Sequence, residues 1–410
     1  MARFAGVSMD VKTCDEMASL APSSAATVVT RRSVLLGSAL GLVGWMSRSA
    51  LADVSISKMP TRPIVHIFLR GGADGLNMVV PTHEAKYFDE RPTLAVKKTQ
   101  PLDEGFGLHP ALAPLYPFWK SGQMAIVHAV GSEDRSRSHF EAMAAMERGG
   151  AAGGWLARYL AATSPKDPSP LRAIAHADVL PEMLRGGPPA LALRSVSDFR
   201  LAGDGEFRKK LDRMYAEGDD AVRVAGRQTL ATLDSLHSLD PKRYVPRHGA
   251  KYPNHDLGTG LQQVAMLLRA GVGLEAACLD HGVWDTHVGQ DGFHPRLMAE
   301  LSGALAAFAT DLGPELDGVT VVVMSEFGRR VGENAGLGTD HGRAAPAFLL
   351  GGGVRGGRFH GRWPGLTDLD SVGDLRVGTD SRSVLASALR LSDPSAVFPG
   401  VNSGLAEVYA

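Results

Sequence analysis

Six side chains of this 410-residue chain could hold a divalent cation, and they come from four separate stretches. Asp74 sits in the glycine-flanked run Arg70-Gly71-Gly72-Ala73-Asp74-Gly75, with Asn77 three residues on. Asp285 and His287 belong to Trp284-Asp285-Thr286-His287, Glu326 to Ser325-Glu326-Phe327-Gly328, and Asp340 and His341 to Thr339-Asp340-His341-Gly342. Carboxylates neutralise one or two divalent ions, whether Zn, Mn, Mg or Ca. The imidazoles turn the preference toward Zn or Mn and away from Ca. Each residue also has a plainer use. An Asp between glycines forms turns and caps helices, and Glu326 could pair with Arg329 or Arg330. His255, His281 and His294 flank the same region as supporting or surface groups.

A second group lies in Ser136-Arg137-Ser138-His139-Phe140-Glu141, ahead of a stretch of helical composition from Ala142 to Met146. Ser138 followed three residues later by Glu141 reads as a capping box, the hydroxyl accepting from the free N–H groups of the first turn. The same placement suits a nucleophile. A hydroxyl at a helix N-terminus faces the end that attracts anions, and a neighbouring cation would help to deprotonate it. Arg137 would then clamp anionic oxygens, and His139 completes the candidate catalytic trio. The two roles of Ser138 are not exclusive.

These residues need a scaffold that brings them to one place. Ile64–Leu69, Met124–Val130, Leu274–Leu279, Val319–Met324 and Ala347–Leu350 are short runs, apolar without alternation apart from His66, His128 and Glu275, as strands covered on both faces require. Between them, Leu297, Leu301, Leu305, Phe308 and Leu312 form one helical stripe, and Leu261, Val264, Leu267 and Leu268 form another that stops at Gly271. His109–Trp119 reads as a short helix. Strand–helix alternation predicts an α/β fold, a three-layer sandwich with a mainly parallel sheet. In such sheets ligands bind outside the carboxyl ends of the strands, where most of the candidate ligands fall. From 165 to 254 the strand signal weakens, which predicts an inserted helical lobe or lid.

The N-terminus predicts an address. Arg31-Arg32 directly precedes the apolar stretch Val34–Met46, and Ala50-Leu51-Ala52 follows as a peptidase exit. The apolar stretch is too short to span a bilayer, which needs about 20 residues. Residues 1–52 therefore read as a twin-arginine signal peptide, with the translocation machinery as partner and a periplasmic or secreted destination for residues 53–410. Of the 43 Lys/Arg and 44 Asp/Glu, five and three fall in the leader, leaving a net charge of −3. That balance argues against a nucleic-acid partner, and no further long apolar segment predicts an integral membrane span. The mature chain keeps one cysteine, Cys278, in an apolar run where a small buried hydrophobe is expected, so no intramolecular disulfide can form.

The motifs Leu69–Asn77, Arg137-Ser138-His139-Phe140, Gly282-Val283-Trp284-Asp285-Thr286-His287, Met324–Arg329 and Thr339-Asp340-His341-Gly342 together resemble a widespread bacterial family of twin-arginine-exported proteins, catalogued as a domain of unknown function. That family in turn resembles the alkaline phosphatase and sulfatase superfamily. The resemblance implies metal ligation by Asp74, Asp285, His287, Glu326 and His341, a nucleophile near Ser138, and an anionic ester substrate. It also implies departures, since Phe327 stands where a ligand His is expected and the Asp285–His287 spacing is short. Two functions follow as expectations: an exported metal-dependent hydrolase of phosphate or sulfate esters, or a non-catalytic exported binding or assembly protein on the same fold.

Overall fold

The computed structural model describes residues 62–166, 168–198, 201, 205–237, 239 and 241–409. The segment read as a signal peptide lies outside them. Among the described residues, twelve short strands and ten α-helices follow one another in chain order. The strands are β1 (Ile64–Leu69), β2 (Val79–Pro81), β3 (Gln100–Pro101), β4 (Phe106–Leu108), β5 (Met124–Gly131), β6 (Ala173–His176), β7 (Leu191–Ala192), β8 (Ala276–His281), β9 (Thr320–Ser325), β10 (Ala345–Gly351), β11 (Phe359–His360) and β12 (Thr379–Asp380). The helices are α1 (Gly75–Met78), α2 (Ala85–Asp89), α3 (Tyr116–Lys120), α4 (His139–Arg148), α5 (Trp155–Ala162), α6 (Gly205–Tyr215), α7 (Ala221–His237), α8 (Asp256–Arg269), α9 (His294–Leu312) and α10 (Ser381–Ala388).

Nine strands form the main sheet, in the order β11-β5-β10-β9-β1-β8-β6-β7, with β12 also on β5. All pairings are parallel except those of β10, which runs antiparallel to both β5 and β9. The five expected strands are present, with β8 shifted two residues toward the C-terminus. The expected α/β fold with a mainly parallel sheet is what the chain adopts.

Alternation along each strand divides the core between the two faces. Val65, Ile67 and Leu69 of β1 pack with Leu261 of α8 and with Leu301, Leu305 and Phe308 of α9. Ile64 and Phe68 point the other way, against Met146 of α4, Leu156 and Leu160 of α5, and Leu385 of α10. Helices on both faces make the three layers. Cys278 is buried in the second cluster and burial pushes its thiol up, as befits a small apolar filler.

Two expectations change. The stretch 165–254 is not wholly helical, because β6 and β7 extend the main sheet beyond β8 before the paired helices α6 and α7 begin. Those strands are only four and two residues long, too short to leave a periodic signal. The segment His109–Trp119 forms a 3-10 turn over Pro110–Leu115 and then α3. His109 Nδ1 accepts from the Ala111 N–H at the turn's start, and Pro114 interrupts the ladder. No helix among the described residues is long and apolar enough to cross a membrane.

Candidate metal centre

The carboxyl ends of β1, β5, β8 and β9 share one edge of the sheet. Because β10 is antiparallel to its neighbours, its beginning lies at that edge too. Asp340 and His341, which precede β10, are thereby delivered to the same place as Asp285 and His287, which follow β8. In a wholly parallel sheet they would lie at the opposite edge.

Three imidazoles and one carboxylate meet there. His287 Nε2 and His341 Nε2 lie 2.9 Å apart, and each is within 3.0 Å of Asp285 Oδ1. His139, the first residue of α4, brings its Nε2 to 3.3 Å from Asp285 Oδ2. Each ring's other nitrogen faces an acceptor: Glu326 Oε1 at 2.9 Å for His139, Asp340 Oδ1 at 3.0 Å for His287, and the Arg137 carbonyl at 2.7 Å for His341. An acceptor on each Nδ1 favours a proton there, so that each Nε2 of a neutral ring turns a lone pair toward Asp285. His139 Nε2 is buried without a hydrogen-bond partner.

Three lone pairs aimed at a carboxylate repel one another unless a positive charge sits among them. Ligands at 2.0–2.1 Å from a tetrahedral ion stand about 3.3 Å apart, close to the spacings observed. His139, Asp285 and His341 form the one group among the described residues that could hold a metal ion, and His287 adjoins it. An imidazole donating Nδ1–H to a carboxylate or carbonyl is how metal-ligating histidines are ordinarily held. Protons can meet part of the same demand. Burial lowers the His139 pKa, but Asp285 and Glu326 outweigh it and raise it to about 9. Asp285 itself is pushed up by burial, yet its contacts with His139, His287, His341 and Arg329 leave it well below the usual carboxylate range.

The framework behind these groups is rigid. Arg329 is 1% exposed. It donates to the carbonyls of Gly72, Trp284 and Thr339 at 2.6, 3.1 and 2.8 Å and to Asp285 Oδ1 at 2.6 Å. Glu326, also 1% exposed, accepts from the Gly71 N–H at 2.7 Å and from the Ser325 hydroxyl at 3.0 Å. Gly71 has φ +112°, and a Cβ there would come within 2.7 Å of the Asp285 nitrogen, so the loop after β1 can lie against the Asp285 loop only as glycine. Arg137 and Val283 adopt φ of +57° and +62° without being glycine, an unfavourable conformation that clusters at functional sites.

The other candidates are placed as follows. Glu326 and Asp340 stand behind imidazoles, holding His139 and His287, rather than among the Nε2 atoms. Glu326 does not pair with Arg329 or Arg330; Arg329 goes to Asp285. Asp74 is fully buried at the start of α1, where its Oδ2 accepts from Arg91 at 2.6 Å and Gln290 at 2.5 Å. Its contacts tie the loop after β1 to Arg91 and to the segment after β8, and only Oδ1 is without a partner. Ser138 is the N-cap residue of α4, but its side chain makes no cap hydrogen bond, so the expected capping box does not form. The Arg137 guanidinium is held by Asp374 Oδ2 at 2.9 and 2.5 Å. His255 caps α8, His281 accepts from the Trp284 indole, and His294 accepts from the Asp74 N–H.

Sequence reasoning did not find Asn334, whose amide donates to Asp340 Oδ1 and to the His287 carbonyl. Nor did it place His139 beside the metal-type ligands. The one available signal was its position immediately after a helix start at a strand end. Phe327 lies 5.0 and 4.9 Å, ring to ring, from His139 and His341. The position expected to carry a ligand thus supplies an apolar wall.

Residues 61–375 match the family described as a protein of unknown function, DUF1501. The chain belongs to this family. No curated protein matches the DUF1501 chain. Among solved structures it is similar to Ps i-CgsB in complex with k-i-k-neocarrahexaose, at 10% identity and a TM-score of 0.37, over 81% of this chain and 72% of that one. It is also similar to the PH0037 protein of Pyrococcus horikoshii, at 13% identity and 0.29, over 84% and 99%. A third is alkaline phosphatase from the Antarctic bacterium TAB5, at 11% and 0.26, over 71% and 92%. Likenesses at these values do not bear on what the site does.

Proposed function

We propose that this DUF1501 protein is an exported, metal-dependent hydrolase of phosphate or sulfate esters. The observation that supports it is the convergence of the three Nε2 atoms on Asp285, each ring locked by an acceptor on its far side. His139, Asp285, His287 and His341 would hold one divalent ion. Such an ion supplies Lewis acidity toward an ester oxygen. The protein's own part is to fix the imidazole tautomers through Glu326, Asp340 and the Arg137 carbonyl, and to keep Asp285 ionised. Ser138 adjoins His139, and its hydroxyl is free of a capping bond and so available as nucleophile.

The alternative, a non-catalytic exported binding protein, draws on Phe327 standing in a ligand's place and on Arg137 being already paired with Asp374. Metal analysis of purified protein, with a panel of nitrophenyl phosphate and sulfate esters, separates the two. Stoichiometric Zn or Mn with chelator-sensitive hydrolysis is the expected result. Stoichiometric metal with no turnover of any ester favours the binding protein, and no metal at all removes the site.

A further inference from the structure

A groove of about 600 Å³ opens beside the metal centre. Arg135, Arg137 and Arg343 line both this groove and a much smaller cavity of about 10 Å³, which reaches Glu326 and Phe327. The two cavities thus share three arginines, and the smaller one is bordered by Glu326, the residue that holds His139. Its volume is in the range of sites for small organic ligands.

The balance of charge along it is uneven. Arg137 is neutralised by Asp374, and Arg376 by Asp368 at 2.8 Å. Asp370 lines the groove as well, with Arg137 at 3.9 Å and the backbone N–H groups of Val372 and Asp374 on its oxygens. Arg135 has no hydrogen bond or ion pair among the described residues. Arg343 donates only to the Ser132 carbonyl, at 3.0 Å. Two guanidinium groups without a bonded carboxylate thus line the same two cavities, with Asp134 on the smaller and Asp370 on the larger. An oxyanion in the groove would give both a bonded partner, and the planar fork of arginine fits a phosphate or sulfate face. Leu369, Val372 and Val377 give the groove an apolar floor suited to a carbon skeleton.

Resting on the hydrolase reading above, we infer that Arg135 and Arg343 form a subsite for a second anionic group, so that the preferred substrates carry at least two phosphate or sulfate groups. The test is calorimetric titration of the metal-loaded protein with fructose 1,6-bisphosphate and, separately, with inorganic phosphate. The double variant Arg135→Gln with Arg343→Gln is expected to weaken the bisphosphate by about tenfold or more, and to leave inorganic phosphate affinity, metal content and melting temperature unchanged. The double variant Arg135→Lys with Arg343→Lys should keep part of the wild-type affinity. A bisphosphate affinity equal to that for phosphate in the wild type, or unchanged in the double variant, overturns the subsite. Metal content keeps the two readings apart. Arginine-dependent bisphosphate binding by a protein that takes up no metal supports the groove and sinks the metal centre. Stoichiometric metal with an indifferent groove does the reverse.

Discussion

At the scale of single residues, the decisive atoms are the Nδ1 nitrogens. Asp285→Ala or His341→Ala should abolish stoichiometric binding of a transition metal and lower the melting temperature of metal-loaded protein, because binding free energy adds to folding free energy. Metal analysis and calorimetry on the same samples check this, and variants that melt like wild type with and without chelator would remove these residues as ligands. Glu326→Gln keeps an oxygen but loses the charge opposite His139, so it should weaken metal affinity by about 10–100-fold rather than abolish it. Ser138 allows a sharper separation. Without a cap bond to lose, Ser138→Ala should cost less than about 0.5 kcal/mol in urea unfolding, below the usual cost of removing a cap. Under the hydrolase reading it should nonetheless abolish ester turnover. A variant that hydrolyses at the wild-type rate leaves Ser138 no part in the chemistry. The sequence made Asp285, His287 and His341 legible because Asp and His near strand ends already suggest ligation. It left Glu326 and Asp340 undistinguished from ligands, since a carboxylate that binds an ion and one that orients an imidazole differ by a few ångströms and not by residue type.

At the scale of elements, continuous apolar runs announced the long buried strands, and the stripe from Leu297 to Leu312 announced α9. The direction of β10 was not legible. Apolarity says that a strand is covered, not which way it runs, and that direction sets where His341 goes. Nor did composition reveal how α9 is anchored. Asp311, fully buried in the last turn, accepts from the Arg247 N–H at 2.7 Å, from Tyr244 and Tyr252 at 2.8 Å each, and from Arg269 at 2.5 Å. Burial pushes its carboxyl up, but these four donors outweigh it and hold the group below its ordinary value. Removing the carboxylate leaves Arg269 with Glu315 as its one acidic partner and takes the acceptor from the two tyrosines and the Arg247 N–H, so Asp311→Ala should cost about 1–3 kcal/mol. The sign of the pH dependence follows. A depressed folded-state pKa contributes stability above the unfolded value of about 3.9, and that contribution is lost as pH falls through the lower folded value. The gap in unfolding free energy between wild type and Asp311→Ala should therefore be widest at neutral pH and shrink below about pH 4. A gap that stays constant down to pH 3 would mean the carboxylate's charge is not what anchors the helix.

At the scale of the molecule, the proposal of export is tested at Arg31 and Arg32. Replacing both with Lys keeps the charge but alters what a receptor reads, so uncleaved protein should accumulate in the cytoplasm. Unchanged periplasmic yield would rule that route out. The place of β1 in the sheet has a further consequence, one of timing. Ile64 pairs with Ala276 on one side and Thr320 on the other, so the first of the described strands waits for partners delivered more than 200 residues later. Contacts this distant in sequence make folding slow, because loop closure must be met before any pairing rewards it. Until then the strand Ile64–Leu69, apolar but for His66, presents two unpaired edges to other chains. Refolding from urea should accordingly take seconds or longer, with a yield that falls as protein concentration rises. Like β5, whose first partner begins only at Ala345, this strand near the centre of the finished sheet is made long before anything can pair with it.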